Sequence, residues 1–259
     1  MKPSFLNHSK PLVVSMIQAE TPQACISMIK NSIYDGADAF GIQLCRITKE
    51  LRAVEELKKI FASTAQRPIY ITNYRVSHNK NMTDEECMDG LVDGLKYGAT
   101  IADIMGDTFA PSDMELTTNH IAIDKQKRLI DKIHNMGKEV LMSSHVLRFI
   151  SCEQVLEIAY AHQSRGADIV KIVTAASSVE EELENLRITS ILKKELNVPF
   201  LFLSGGTHYK LHRMIGPMLG CVAYLCVQQH DELSTKAQPI LKSVRAVLDI
   251  TDYLPDYLT

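Results

Sequence analysis

Several features that would indicate a class of partner or a compartment are missing from this sequence. The chain of 259 residues has a net charge of −3 and a pI near 6.3, and it contains no block of lysine and arginine residues. Such a charge gives no long-range attraction for nucleic acid or anionic lipid. No apolar stretch approaches the ~20 residues of a membrane span, and the apolar run near the start is too short for a signal peptide. We therefore expect a cytoplasmic protein that binds neither nucleic acid nor membrane.

Motifs for disulfides, metals and nucleotide cofactors are missing as well. The cysteines form no CxxC pair and no zinc-type spacing with histidine, and the chain is too long to need disulfide staples. The histidines and acidic residues show no metal-ligand spacing, and no glycine motif for a dinucleotide or phosphate loop occurs. We expect no cofactor, no metal and six reduced thiols, mostly in the core: Cys25, Cys45, Cys87, Cys152, Cys221 and Cys226.

What the sequence does contain is a regular alternation of short apolar runs with amphipathic stretches of helical length. With 46% hydrophobic residues the chain can bury a full core. Eight strands in about 250 residues are typical of a (β/α)8 TIM barrel, so we predict one such domain over residues 1–259. The predicted strands are 11–17, 38–44, 68–74, 100–105, 139–145, 168–174, 199–204 and 221–227.

The joints between these elements repeat. Three helices are expected to end at the glycine of a GAD or GAT tripeptide, at Gly36, Gly98 and Gly166. Helix starts are marked by N-cap residues, three of which have the spacing of a capping box. These residues are Thr21 before Pro22, Thr83 with Glu86, Ser151 with Gln154 and Ser177 with Glu180. The longest irregular segment, 106–120, follows strand four on the face where barrels keep their sites.

One charged residue lies inside an apolar strand. In GADIVKIV (166–173), Lys171 shares a face with Ile169 and Val173, and since the helix-facing side must be apolar, this face should point into the barrel. One interpretation is a long side chain whose ammonium group reaches water. The other is an amine that desolvation keeps uncharged, able to attack a carbonyl and form an imine. His145, which closes strand five, is either a structural histidine or a proton carrier at the barrel mouth.

Several segments resemble one family along nearly the whole chain. SSHVLRF (143–149) and GADIVKIVTAASSVEE (166–181) resemble the S-x-H and GADIVKIA segments of type I 3-dehydroquinate dehydratases. TNYR (72–75) is similar to the family's T-F-R, and 199–226 is similar to its strand seven and following helix. STKAQP (234–239) resembles its S-A-P-G-Q lid segment. The resemblance therefore implies a Schiff-base lyase of the shikimate pathway, in aromatic amino acid biosynthesis.

The resemblance also implies roles for individual residues. Lys171 would form an imine with a small keto acid, so that no separate cofactor is needed, and His145 would be the general acid and base. Arg213 would bind the substrate carboxylate, and Arg75 would support that anchor or hold nearby acids. Ser234 and Gln238 would contact the substrate from a lid. Family members are often dimers, so a homodimer is expected.

The sequence departs from the family where specificity is set. The family's acid and arginine on strand two are replaced here by Gly41 and Gln43, and Arg46, three residues farther on, is not credited with the lost role. Asn79 stands where the family has the glutamate that pairs with the catalytic histidine, and we expect it to orient His145 less strongly. Gln43 and Asn79 are also predicted to contact the substrate, from the positions of the family's charged residues. His78, next to Asn79, is either a new participant in the site or, as the polar SHNKN segment favours, a solvated histidine.

Three functions stay open at this point. The first is dehydration of 3-dehydroquinate to 3-dehydroshikimate. The second is a Schiff-base dehydratase or aldolase for a different keto acid. A site that loses the side chains which hydrogen-bond the substrate hydroxyls no longer discriminates well between substrates with and without those hydroxyls. The third is a non-catalytic barrel that binds a carboxylate ligand, although such a protein has little reason to keep a buried lysine.

Overall fold

The computed structural model describes residues 2–6 and 8–251, in which strands and helices alternate. The strands are β1 (Leu12–Ile17), β2 (Ala39–Gln43), β3 (Ile69–Thr72), β4 (Ile101–Met105), β5 (Glu139–His145), β6 (Ile169–Ala176), β7 (Phe200–Gly206) and β8 (Ala223–Cys226). The helices are α1 (Pro22–Tyr34), α2 (Val54–Ala62), α3 (Asp84–Lys96), α4 (His120–Asn135), α5 (Cys152–Arg165), α6 (Val179–Glu195), α7 (Lys210–Ile215) and α8 (Leu241–Thr251). Each predicted strand lies within two residues of an observed one at both ends.

The eight strands form one parallel sheet in the order β7-β6-β5-β4-β3-β2-β1-β8. The edges β7 and β8 approach each other, since the amide of Val222 donates to the carbonyl of Phe200 at 2.9 Å. The sheet is therefore a nearly closed barrel with helices outside it, and the predicted (β/α)8 TIM barrel is confirmed. All carboxyl ends of the strands meet at one face, which is the mouth of the barrel.

The predicted joints are largely as expected. Gly36, Gly98 and Gly166 all have positive φ at the ends of helices. Thr21, Thr83 and Ser151 cap α1, α3 and α5 through their side chains, the last two in capping boxes. The predicted N-cap of α6, Ser177, is wrong by one residue. The N-cap is Ser178, whose hydroxyl accepts a hydrogen bond from the amide of Glu181. The adjacent Ser–Ser pair made the two positions indistinguishable by spacing.

The floor of the barrel, opposite the mouth, is closed by Phe5. This ring is buried and packs edge-on against the ring of Tyr70, with centroids 6.4 Å apart. The segment is held because the amide of Phe5 donates to Glu139 at the start of β5, at 2.9 Å. Apolar interior side chains of β1, β4 and β5 (Val14, Ile101 and Leu141) surround it. The lower barrel is thus a packed apolar core on which the polar mouth rests.

Across the described residues, none of the helices is both long and apolar enough to cross a bilayer. The single domain over 1–259 stays a prediction, and residues 1, 7 and 252–259 of that range lie outside the described residues. The six cysteines are all buried, and none of them forms a disulfide in the structure.

Candidate active site

Lys171 lies in the barrel interior and is 5% exposed. Its Nζ donates to Tyr74 Oη at 2.8 Å, to Tyr70 Oη at 2.9 Å and to Asp103 Oδ2 at 3.1 Å. An ammonium group has three N–H donors, so these three acceptors satisfy all of them. The parity argument from the sequence therefore placed this side chain on the correct face.

Asp103 of β4 is the centre of this cluster and is 1% exposed. Its Oδ2 accepts hydrogen bonds from both phenols, and its Oδ1 accepts from Ser143 Oγ at 2.5 Å. Burial would raise the pKa of Asp103, but the charge of Lys171 and the surrounding donors hold it below its usual value. The carboxylate is therefore ionised and forms a buried ion pair with the lysine.

The two phenols respond to the same carboxylate in the opposite sense. Burial, followed by the nearby charge of Asp103, raises the pKa of both Tyr70 and Tyr74 well above the usual value. Both side chains thus stay protonated and act as hydrogen-bond donors to Asp103. An uncharged lysine stays an expectation from the sequence. The structure adds a carboxylate 3.1 Å from Nζ, and a lysine that pairs with Asp103 as an ammonium group must give up a proton before it can attack a carbonyl.

His145 ends β5 and is held by Glu115. Its Nδ1 lies 2.8 Å from Glu115 Oε2, and its backbone amide donates to the same oxygen at 2.8 Å. Burial would raise the pKa of Glu115, but its hydrogen bond to His145 and the imidazole charge lower it. Because the carboxylate occupies Nδ1, Nε2 is the ring nitrogen that can exchange a proton. The imidazole also packs edge-on against Tyr74, with ring centroids 5.1 Å apart, so Tyr74 contacts both His145 and Lys171.

Asn79 was expected to orient His145, but its hydrogen bonds go to other residues. Its amide nitrogen donates to Asn73 Oδ1 at 2.7 Å and to the carbonyl of Tyr74 at 3.0 Å, while its oxygen accepts from Arg52 at 2.6 Å. Asn79 therefore fixes the chain after β3, and Glu115 makes the contact with the histidine. Sequence reasoning missed Glu115, although the long segment 106–120 at the mouth, which contains it, was the available signal.

A buried polar network anchors the segment that carries Glu115. Ser144 Oγ donates to the carbonyl of Glu115 at 2.7 Å and lies 3.1 Å from His162 Nε2. Arg165 donates to the carbonyl of Thr117 at 2.6 Å and to Gln126 Oε1 at 2.9 Å. These contacts run from the outer helices α4 and α5 through β5 to the site. The acid is thus positioned by packed elements rather than by a free loop.

The same network predicts how stability depends on pH. Burial lowers the pKa of His162 to about 3. Since the unfolded chain takes up this proton first, stability is complete above the unfolded value of about 6.5 and falls by about 1.4 kcal/mol per pH unit below it. We expect His162→Gln to reduce the slope of unfolding free energy against pH between about pH 6.5 and 4.5 by that amount, measured by urea unfolding. An unchanged slope would contradict the assignment, whatever the variant's stability at pH 7.

The two arginines implied by the family resemblance have different surroundings. Arg213 of α7 is 8% exposed, and its Nε donates to the carbonyl of Ser204 at 2.6 Å. Burial lowers its pKa to about 10, and within the described residues no carboxylate pairs with it. Arg75, after β3, bonds Asp107 and, at 3.3 Å, Asp84. Arg213 is therefore a cation held ready for an anion, whereas Arg75 already has its partners.

The segment 228–240, which contains Ser234 and Gln238, is folded onto the end of β1. Gln18 follows β1 and is 1% exposed. Its Nε2 donates to Thr235 Oγ1 at 2.9 Å, and its Oε1 accepts from the amide of Thr235 at 2.7 Å. Ser234 and Gln238 are buried, and Oε1 of Gln238 has no hydrogen-bond partner among the described residues. Gln18, which sequence reasoning missed, thus fastens this segment.

Removing that fastening should loosen the segment. Gln18→Ala loses two hydrogen bonds, a cost of about 1–2 kcal/mol, so the open population should rise roughly 5- to 30-fold. We expect trypsin to cleave after Lys236 faster by a similar factor, measured by mass spectrometry under native conditions. Thr235→Val is the matched control, because it removes only the Oγ1 acceptor and should give a smaller increase. Equal cleavage rates for Gln18→Ala and the unaltered protein would contradict this role.

The β2 side of the mouth is largely apolar. A Cβ at Gly41 would lie 2.2 Å from Met16 Sδ and 3.0 Å from Tyr70 Cδ1, so the glycine leaves space that Met16 fills. Gln43 ends β2 half-buried, and the turn after it contains Arg46, whose buried Nε has no hydrogen-bond partner in the described chain. His78 lies 3.7 Å from Glu20 at the surface. Within residues 2–6 and 8–251, no group of three or more His, Cys, Asp or Glu side chains could hold a metal.

Comparison with known proteins points to one family. The model of the family described as type I 3-dehydroquinase matches residues 13–255. A 3-dehydroquinate dehydratase of Alkaliphilus oremlandii (strain OhILAs) is 30% identical over 99 residues, which are 38% of this chain and 39% of that protein. One of Pyrococcus abyssi (strain GE5 / Orsay) is 26% identical over 142 residues, 53% of this chain and 62% of that protein. The matches thus span less than two thirds of either relative's length.

The fold comparison agrees. The crystal structure of 3-dehydroquinate dehydratase from Geobacillus kaustophilus HTA426 superposes with a TM-score of 0.80 over 94% of this chain and 92% of that one, at 15% identity. This likeness concerns the barrel, whereas the match to the family extends over nearly all of the sequence. The chain belongs to the type I 3-dehydroquinase family.

Proposed function

We propose that the protein is a hydro-lyase of the type I 3-dehydroquinate dehydratase kind, which dehydrates 3-dehydroquinate to 3-dehydroshikimate through an imine on Lys171. The observation that carries the proposal is the position of Lys171 Nζ, buried at the barrel mouth and joined through Tyr74 to a histidine held by Glu115. Membership of the family supports it. The substrate would be a small keto acid, and the imine takes the place of a separate cofactor.

The reaction begins at the amine. Lys171 loses a proton, attacks the substrate ketone and forms a carbinolamine, which expels water to give a protonated imine. The proton passes through Nε2 of His145, the free nitrogen of the ring. Asp103, 3.1 Å from Nζ, keeps its negative charge beside the new cation, as it does beside the ammonium group.

Dehydration then needs one base and one acid, and the same imidazole serves as both. His145 removes the proton next to the imine carbon. The electron pair of that C–H bond forms a C=C bond to the imine carbon, while the π pair of the C=N bond moves onto nitrogen. The resulting enamine expels the β-hydroxyl, which receives the proton from His145 and leaves as water. Hydrolysis of the imine consumes one water, releases the product and restores Lys171, so the net loss is one water.

Binding and closure involve the remaining residues. Arg213 would take the substrate carboxylate, because guanidinium geometry suits a bidentate contact and the side chain has no acidic partner among the described residues. Arg75 would hold Asp107 and Asp84 rather than the substrate. The segment with Ser234 and Gln238 would close over the ligand, and the unpartnered Oε1 of Gln238 would accept a hydrogen bond from it. Gln43 and the carboxamide of Asn79 stay predicted substrate contacts, although the hydrogen bonds of Asn79 all lie within the protein framework.

A second candidate is a Schiff-base lyase or aldolase for a different keto acid. The observation that favours it is the packing of Met16 into the space beside Gly41, where a thioether rather than an acid faces the interior. A substrate with fewer hydroxyl groups would suit this apolar surface, because a substrate hydroxyl beside Met16 would have no hydrogen-bond partner there.

One experiment separates these functions. The protein is incubated with 3-dehydroquinate, turnover is followed by the enone absorbance of the product, and borohydride is then added before peptide mass analysis. Turnover with an adduct on the Lys171 peptide is the expected result. An adduct with another keto acid but not with 3-dehydroquinate would favour the second candidate. No adduct across a broad keto-acid panel would overturn both and leave the carboxylate-binding barrel.

The pathway, the cellular location and the oligomeric state of the protein also stay proposals. A dehydratase of this kind would act in the shikimate pathway and supply aromatic amino acid biosynthesis. The cytoplasmic location and the homodimer remain predictions from the sequence and the resemblance. Analytical ultracentrifugation of the purified chain measures the second of these directly.

A further inference from the structure

The environment of Lys171 contains two phenols whose roles the general scheme leaves open. In the resting protein, Nζ gives one hydrogen to each of three acceptors, the phenol oxygens of Tyr70 and Tyr74 and a carboxylate oxygen of Asp103. Each phenol gives its own hydrogen to Asp103. Every hydrogen in the cluster therefore has a place while the lysine is an ammonium group.

Imine formation breaks this balance. A protonated imine nitrogen carries one hydrogen where the ammonium group carries three, so two of the three acceptors must lose their donor. Asp103 keeps an electrostatic partner because the protonated imine is also a cation. The two phenol oxygens are therefore the groups that lose the lysine hydrogens, and they become free to make other contacts when the substrate is bound.

The two phenols differ in their freedom to do so. Tyr70 is on β3, is 2% exposed and is packed between the ring of Phe5 below and the Gly41 position beside it. Tyr74 follows the end of β3, is half-buried at the mouth and packs against the catalytic imidazole of the proposed mechanism. A substrate entering from the mouth meets Tyr74 and not Tyr70.

Position also sets what Tyr74 can reach. Its oxygen lies 2.8 Å from Nζ, so a carbonyl that approaches Nζ with its oxygen toward Tyr74 brings that oxygen within hydrogen-bond distance of the phenol. That oxygen gains negative charge as the C–N bond forms. A donor fixed at such a point stabilises the transition state.

We propose that Tyr74 is a catalytic residue of imine formation, whose O–H turns from Asp103 to the substrate carbonyl oxygen. This role rests on the proposed function. The C–N bond forms as the C=O electron pair moves onto oxygen, and His145 delivers to that oxygen the proton taken from the ammonium group. Tyr74 donates a hydrogen bond throughout and keeps its own proton, consistent with the raised pKa of its phenol. Tyr70 is a positioning residue that keeps Asp103 in place.

The test compares Tyr74→Phe with Tyr70→Phe by rapid-quench borohydride trapping of 3-dehydroquinate. Tyr74→Phe should slow adduct formation on Lys171 about 10²-fold, the usual cost of one lost donor to a developing oxyanion. Both variants keep their rings, and thermal unfolding checks that each is folded. Tyr70→Phe should change the trapping rate less than Tyr74→Phe at saturating substrate, while shifting its pH profile through Asp103.

The outcomes separate this role from the function beneath it. If the unaltered protein traps an adduct and Tyr74→Phe traps it equally fast, the role of Tyr74 is overturned and the proposed function stands. If Tyr70→Phe slows trapping as much as Tyr74→Phe without moving the pH profile, the distinction between the phenols is overturned. If the unaltered protein traps nothing from a panel of keto acids, both the function and the role are overturned.

Discussion

Replacement of Lys171 by alanine should abolish the covalent adduct and lower turnover on the order of 10⁴- to 10⁶-fold, the range seen when a covalent nucleophile is removed. The reason is that no other amine lies with Asp103, Tyr70 and Tyr74 in the described barrel interior. Steady-state turnover of 3-dehydroquinate and borohydride trapping give the two measurements. An adduct that persists in Lys171→Ala would contradict the proposed mechanism.

A control is needed because the lysine is also half of a buried ion pair. Lys171→Ala leaves the carboxylate of Asp103 without its cation, which typically costs about 3–5 kcal/mol of stability. We expect the double variant Lys171→Ala/Asp103→Asn to recover most of that stability while staying inactive. Recovery of stability without activity shows that the loss of turnover does not come from unfolding, while the missing adduct on residue 171 assigns it to the amine.

Glu115→Gln should lower kcat on the order of 10²- to 10⁴-fold, because loss of the carboxylate removes what orients His145 and stabilises its protonated form. The glutamine can still meet Nδ1 but brings no charge to a contact that now measures 2.8 Å. The carboxylate has a lowered pKa, so its stabilisation of the folded protein is present above about pH 4.3 and lost as pH falls through the lower folded value. His162 gives both proteins an acid loss in this range, so urea unfolding across pH 3 to 5 should show a steeper loss of stability in the unaltered protein than in Glu115→Gln.

A change at Asn79 tests whether an acid at that position can replace the carboxylate of Glu115 beside His145. Asn79→Glu in the Glu115→Gln background places an acid at the position where the family carries it. We expect no recovery of kcat, because residue 79 is directed toward Asn73 and Arg52 rather than toward the imidazole. Recovery by this second change, or full activity of Glu115→Gln alone, would show that Glu115 does not have the proposed role.

The fold could be predicted because its signals are local and repeated. Eight apolar runs, the glycine joints and the N-cap residues each specify an element within a few residues of sequence. The placement of Lys171 followed from parity, because a strand between helices and a barrel interior offers only two faces. Even the one misplaced cap, Ser177 for Ser178, left the helix itself where the pattern put it.

The contacts of the site could not be predicted in the same way. Glu115 reaches His145 from a segment whose path depends on Ser144, Arg165 and a positive φ of 44° at Glu115 itself. None of these appears as a periodic pattern. Tyr70 lies in an apolar strand, where an aromatic residue is usually core, and its polar partners, Asp103 and Lys171, come from other strands. The contact between Lys171 and Asp103 was missed for the same reason, since the two residues lie on different strands.

Among the described residues, the ring of Phe5 closes the floor of the barrel opposite the mouth. Beneath the reacting groups the floor is sealed by this side chain and its apolar neighbours. In the proposed reaction the keto acid therefore enters from the mouth, beside the segment 228–240 that Gln18 holds in place. The expelled water and the unsaturated product leave by the same route. Each catalytic cycle would then require the segment 228–240 to open for the substrate to enter and for the product to leave.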